Sequence, residues 1–291
     1  MEPQKCNQDR DSMLYVRRPP RARLVPGSDA LRRGGKAGPP RYPDGARRDL
    51  QDLKARRDQH ALWRNPLLAA CAGGVLDKQD FRLLFSQYYL YARSFTRYLA
   101  AFMANCEDDG HRARLSANLW EEGGMLASDK RHSELLRHFL RTSLDIEPDE
   151  IEYSESGRHF ARAYLDFCMR SSPRLSSAFL ALGTEGIVGR LYGILVRGLV
   201  QAGINDDELT FFHLHMECDD EHAASLEDIM LSYAYTPDWS DVCLDAMNHA
   251  LDLRDRFFTS IYRKIERRHT GTVFAGTDNC RALVIPMNAD Q

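Results

Sequence analysis

No C-x-x-C pair occurs among the seven cysteines, Cys6, Cys71, Cys106, Cys168, Cys218, Cys243 and Cys280. A scattered, odd-numbered set argues against zinc-finger ligation and against a disulfide framework, and suits reduced thiols. No apolar run is read as reaching the roughly 18 to 20 residues of a membrane span, and the first residues lack the apolar core of a secretory signal. A cytoplasmic protein with no membrane partner is therefore expected. No stretch alternates apolar and polar residues with period two, so strands are not expected either. No basic stripe with interleaved aromatics enters the folded region, which argues against a nucleic-acid partner.

The 291 residues, 43% hydrophobic and 28% charged, suffice for a sizeable core. The net charge of −3 hides an asymmetry. Residues 1–50 hold 12 Lys/Arg against 6 Asp/Glu and 7 of the 12 prolines, leaving −9 for the remainder. Such a head reads as a disordered basic extension. From about residue 51 to 270 the pattern is helical, giving an all-α domain followed by a 271–291 tail without strong packing signals. Asp77 is a good N-cap for a long helix carrying an aromatic stripe, Phe81, Leu84, Tyr88, Tyr91, Phe95, Tyr98 and Phe102, to near Cys106. Further helices are predicted over 111–122, 128–140, 154–171, 173–202, 206–234 and 238–268, with Pro173 in a first turn and Gly203 at a stop.

His215, Asp219 and His222 lie at offsets of four and seven, within an arc of roughly 60° on a helix. Phe211 and Phe212 sit beside that arc, so these three side chains are expected to point inward, while His213, Glu217 and Glu221 face the other way. Two imidazoles and a carboxylate buried together cost several kcal/mol unless a cation compensates, and a divalent transition metal does so. The alternative is a buried His–Asp hydrogen-bond network. Three more polar residues lie on apolar faces. Glu122 follows Leu115 and Leu119 while Glu121 faces solvent; His132 shares a face with Leu135, Leu136 and Phe139; Glu185 sits in a segment almost wholly apolar or glycine. Taken singly, each admits an ordinary reading: a boundary salt bridge for Glu122, a carbonyl partner for His132, an Arg190 partner for Glu185. Together, three carboxylates and three imidazoles from four helices are the kind of set with which a bundle holds two irons.

These residues resemble the heme-oxygenase-like diiron oxidases and oxygenases, in the superfamily that also contains thiaminase-like proteins and pyrroloquinoline quinone synthase. The likeness rests on a Glu followed ten residues later by a His (Glu122, His132), a lone Glu in Ala-x-Gly-x-Glu (Glu185), and His-x3-Asp-x2-His (His215, Asp219, His222), in that order. It covers about residues 55–265 and implies a seven-helix bundle. It further implies two Fe(II) per chain, O2 as co-substrate and an external electron donor, and it admits a homodimer. One iron would be held by Glu122, His132 and one histidine of the Phe211 helix. The other would be held by Asp219 and the remaining histidine, with Glu185 near or bridging both. His60 is the residue on offer for a heme, but carboxylates in the cavity would be poor company for a porphyrin. Cys218 lacks an activating partner for thiaminase-like chemistry.

The family resemblance leads to an oxygenase or oxidase acting on a small amino-acid-derived substrate in specialised, natural-product metabolism. N-oxygenating members are expected to carry an extra carboxylate on the helix before the first Glu, and no acidic residue lies between Asp80 and Glu107. That favours oxidative C–H or C–C cleavage, with N-oxygenation of an amine as the alternative and a non-catalytic helical binding protein as the alternative from another class. Tyr88, Tyr89, Tyr91, Arg93, Arg97 and Arg190 are candidate substrate contacts, an arginine being the natural partner of a carboxylate. Packing aromatics and solvated arginines are the competing reading.

Overall fold

A computed structural model of the protein describes residues 42–271, the side chains of 217–221 excepted. Among these residues it contains eleven α-helices and five short 3-10 turns, with no strand. Helix α1, Ala46–Gln59, begins inside the segment expected to be disordered: Ala46 and Leu50 are already buried, which corrects the boundary at residue 50. The rest of that extension, residues 1–41, and the tail beyond Gly271 lie outside the described residues. Helix α2, Pro66–Ala72, opens on proline and is capped by Asn65. The Asn65 side-chain oxygen accepts from Leu67 N at 2.9 Å, and its amide donates to Asp255 Oδ1 at 2.8 Å, tying the cap to a distant helix.

The long aromatic helix expected from Asp77 is two helices, α3 (Lys78–Ala92) and α4 (Phe95–Ala104). At the junction the Ser94 hydroxyl donates to the Leu90 carbonyl at 2.8 Å, and the Ser94 N–H bonds Tyr91 O at 3.1 Å. Such a side-chain back-bond bends a helix, and the tightened turn re-aims it. The stripe is still core: Phe81, Leu84, Tyr88, Tyr91, Tyr98 and Phe102 are all buried. Asp80 closes a capping box with Asp77 at the start of α3. Its buried carboxylate also meets Arg268 and His269 at 2.9 Å each, anchoring the last helix.

Helices α5 (Asp109–Glu122), α6 (His132–Leu144) and α7 (Glu155–Arg170) follow close to their expected bounds. The single helix predicted over 173–202 is instead α8 (Pro173–Ala181) and α9 (Val188–Gln201), separated by a 3-10 turn at Glu185–Ile187. A Cβ on Gly183 would lie 2.5 Å from Ala250 Cβ and 3.0 Å from Met247 O. The close approach that glycine permits is what seats the break against the last helix. Taken together, Pro173–Gln201 is long and apolar enough to cross a membrane by composition, contrary to the reading above. Because 72% of its most apolar window is buried, it is the core of the bundle.

Helix α10 (Thr210–Leu231) packs on α5, α6, α8 and α9, and helix α11 (Trp239–Thr270) packs on α1, α2, α3, α7 and α8. The two breaks, together with α1 and α2 ahead of the first predicted helix, account for eleven helices where the resemblance implied seven. Phe85, Phe139 and Phe212 meet edge to face at 5.1 to 5.4 Å between α3, α6 and α10, fixing the register of the helices around the interior. Substituting Gly183→Ala is expected to cost about 1–3 kcal/mol in urea unfolding, by overpacking against α11. Gly189→Ala, where an added Cβ meets nothing within 4 Å, is expected to be neutral or slightly stabilising.

Candidate metal centre

Glu122 is the last residue of α5 and His132 the first of α6. The connection between them turns through three consecutive left-handed residues, Gly124 (φ 79°), Met125 (φ 50°) and Leu126 (φ 80°). A Cβ on Gly124 would lie 2.5 Å from Ala127 O, so only glycine fits there. The two non-glycine residues hold sparsely populated backbone, the strain that accompanies constrained sites. Folded this way, the loop brings His132 Nδ1 to 3.0 Å from Glu122 Oε2. Glu185 comes from the 3-10 break, and His215 and His222 from α10. Asp219 lies on the same helix, but its side chain, like that of Cys218, is outside the described residues.

The five described residues form two groups that share one carboxylate. Donor atoms of Glu122, His132 and His215 lie within 4.8 Å of one another, and so do those of Glu122, Glu185 and His222. Glu122 turns Oε2 toward His132 and Oε1 toward His222 Nδ1, at 3.5 Å. Glu122 is therefore the common member, where Glu185 was expected near or bridging both. Glu185 stands with His222 in the second group. Helical offsets did bring His215 and His222 to one buried face; His213 points away and meets Asp206 at 3.1 Å.

Hydrogen bonds fix which ring nitrogens face the centre. His215 Nδ1 lies 2.6 Å from the Phe211 carbonyl, so it carries the proton and leaves Nε2 as a lone-pair donor. Burial pushes His215 down to about 4, keeping it neutral. His222 Nε2 lies 2.7 Å from Glu121 Oε2, which places the Nε2 proton there and leaves Nδ1 toward Glu122. Glu121, read from sequence as facing solvent, thus orients a histidine of the site. Burial raises the Glu122 carboxyl, but His132, and then His215 and His222, hold it below the ordinary range. Burial, and then the charge of Glu122, push Glu185 up to about 8.

A transition metal fits this donor set. Among the described residues neither Glu122 nor Glu185 is paired with a lysine or arginine. Arg190, the suggested partner of Glu185, instead stacks on Trp63 at 3.9 Å and donates to Asp58 O. His132 Nδ1 is buried without a hydrogen bond although a carboxylate oxygen is beside it. An orphaned imidazole nitrogen and two buried carboxyl groups without a cationic side-chain partner are the features that a bound cation resolves.

The cavity against the centre is small, about 40 Å³. Its far wall is Tyr88, Tyr91, Tyr192 and Arg254. Of the candidate substrate contacts, Tyr88 and Tyr91 line it. Tyr89 and Arg93 do not, pairing with each other at 5.5 Å elsewhere. Arg97 lines a separate surface pocket, and Arg190 a cleft on the other side of Glu185. His60 is away from the cavity, its Nδ1 accepting from Leu62 N at 3.1 Å and its Nε2 3.3 Å from Asp252. Arg254, missed from sequence, falls on the apolar stripe of α11 with Met247, Ala250, Phe257 and Ile261. A charge at a core position of a helix was the signal available.

An all-helical bundle holding carboxylates and imidazoles in its interior defines a metal-dependent helical redox protein. A family model described as iron-containing redox enzyme matches residues 82–255, and the chain belongs to that family. It is an oxidoreductase. The 4-aminobenzoate synthase of Chlamydia pneumoniae is 28% identical over 218 residues, 73% of this chain and 94% of that relative. Among solved structures, a domain of unknown function with a heme oxygenase-like fold from Shewanella denitrificans superposes with a TM-score of 0.64 at 14% identity, over 78% of this chain and 96% of that one. Heme oxygenase from the cyanobacterium Synechocystis, in complex with heme, gives 0.53 at 13% identity, over 78% and 98%. The fold is heme oxygenase-like.

Because Glu121 holds only the His222 ring, Glu121→Ala is expected to weaken Fe(II) binding at the group of Glu122, Glu185 and His222 by about 10- to 100-fold and leave any binding at the group of Glu122, His132 and His215 unchanged. A stepwise anaerobic Fe(II) titration reads this directly; equal weakening at both groups would contradict the assignment.

Proposed function

We propose that this protein is an O2-activating non-heme diiron oxygenase or oxidase. Its substrate is a small amino-acid-derived or related amino-carboxylic compound of specialised metabolism, attacked by oxidative C–H or C–C cleavage. The observation that carries the reading is the shared carboxylate: Glu122 offers one oxygen to the His132–His215 group and the other to His222 beside Glu185. One ion would lie at each group, with Asp219 of the same helix face a further ligand. Iron bound there would supply electrons and open positions for O2.

The chain's own residues supply the rest. The Phe211 carbonyl and Glu121 hold His215 and His222 in the tautomers that ligation requires. Phe211, Tyr192 and Val188 keep the cavity dry, which limits side reactions of activated oxygen. Cleavage is favoured over N-oxygenation because helices α3 and α4 face the cavity with Tyr88, Tyr91, Ala92 and Phe95, and the carboxylates lining it among the described residues are Glu122 and Glu185. Similarity to the 4-aminobenzoate synthase of Chlamydia pneumoniae supports a compound bearing both an amine and a carboxylate. An external electron donor completes the cycle.

Anaerobic Fe(II) loading is expected to give two irons per chain, and mixing with O2 a coloured transient. Glu122→Ala is expected to lose both irons, whereas His132→Ala and His222→Ala each lose one and His213→Ala loses none. Loss of a single iron in Glu122→Ala, or no iron in the unmodified protein, would overturn the reading.

A further inference from the structure

Arg254 is 1% exposed and makes no ion pair among the described residues. Burying a guanidinium without a carboxylate costs several kcal/mol, so a fold that keeps one has an anion to place beside it or must bear that cost. The groups around it are aromatic. Nη1 donates to Tyr88 OH at 3.2 Å and Nη2 to Tyr91 OH at 2.8 Å. The Tyr91 ring lies 4.9 Å from the guanidinium carbon and Phe160 at 5.6 Å. Nε is buried with no partner.

Hydrogen-bond polarity sharpens the point. Arginine only donates, so both phenol oxygens accept from it and must turn their own protons elsewhere. Tyr88 and Tyr192 share one hydrogen bond at 3.1 Å. Tyr91 OH accepts from Arg254 Nη2. The wall opposite the metal ligands therefore carries a positive charge and more O–H and N–H donors than acceptors. Both walls meet in one cavity whose volume, about 40 Å³, is room for roughly three water-sized groups. That is on the order of a carboxylate. Half-buried Ala92 and Phe95 mark the side of the cavity toward which the remainder of a molecule would extend.

We propose that Arg254, with the Tyr88 and Tyr91 hydroxyls it holds, is the receptor for the carboxylate of the substrate, presenting the other end of a small amino-carboxylic compound to the centre at Glu122. The inference rests on the oxygenase reading for its substrate class, but the binding it describes is a property of the protein with or without iron.

The test compares binding of 4-aminobenzoate with that of its neutral amide, 4-aminobenzamide, by calorimetry, on iron-free and iron-loaded protein. The carboxylate is expected to bind at least about tenfold more tightly than the amide in both forms, the worth of a charge-assisted pair. Arg254→Met and Arg254→Gln are expected to bind the two compounds equally while retaining the iron content of the parent. Arg254→Lys is expected to keep part of the preference. No preference in the unmodified protein, a preference that survives Arg254→Met, or one that appears only with iron would each overturn the proposal, the last because the metal would then be the receptor. If the Met and Gln variants do not fold, the comparison on the unmodified protein and on Arg254→Lys still decides. Failure to bind iron would strike the oxygenase reading and leave the carboxylate comparison readable.

Discussion

Buried ionisable groups without a lysine or arginine partner are the constraint on which the interior of this protein turns. Glu122, Glu185, His215 and His222 are each at most 8% exposed, yet neither carboxyl group forms an ion pair with a lysine or arginine among the described residues, and Arg254 acts on Glu185 only through its field. Hydrophobic burial alone would expel such groups. They stay because the surrounding structure over-determines their positions. A left-handed turn at Gly124 to Leu126 joins Glu122 to His132, a helix is interrupted to place Glu185, and α10 projects His215 and His222 from one face. Each irregularity is a local cost that the rest of the bundle offsets.

The cavity extends this logic to its second wall. Carboxylates and lone-pair nitrogens face inward from α5, α6, α10 and the 3-10 turn at Glu185–Ile187, whereas phenols and a guanidinium face inward from α3, α9 and α11. Acceptors on one side and donors on the other make a polarised space inside an aromatic shell. Stacked Phe160 and Phe257, 4.7 Å apart, back this space on the Arg254 side.

Much of this could be read from the chain, for identifiable reasons. Periodicity fixes which residues of a continuous helix share a face, so the inward turn of His215 and His222 followed from their spacing. The cap at Asp77 acts within a few residues and was readable in the same way. The breaks were not, because their causes are tertiary. Gly183 meets Ala250, and a Cβ on Gly186 would meet Arg57, partners remote in sequence. The shared role of Glu122 depends on how the nine-residue connection 123–131 folds back. Tyr88 and Tyr89 differ by about 100° on the helix, and sequence alone did not settle which would face the cavity. Arg254 differs from these, since its place on an apolar stripe was visible in the pattern.

The most direct test of the account is a crystal structure of the iron-loaded protein with anomalous scattering recorded at the iron edge. The account predicts two iron peaks, one beside His132 and His215 and one beside His222 and Glu185, with a Glu122 oxygen against each. A single peak, or two peaks of which Glu122 touches only one, would contradict it.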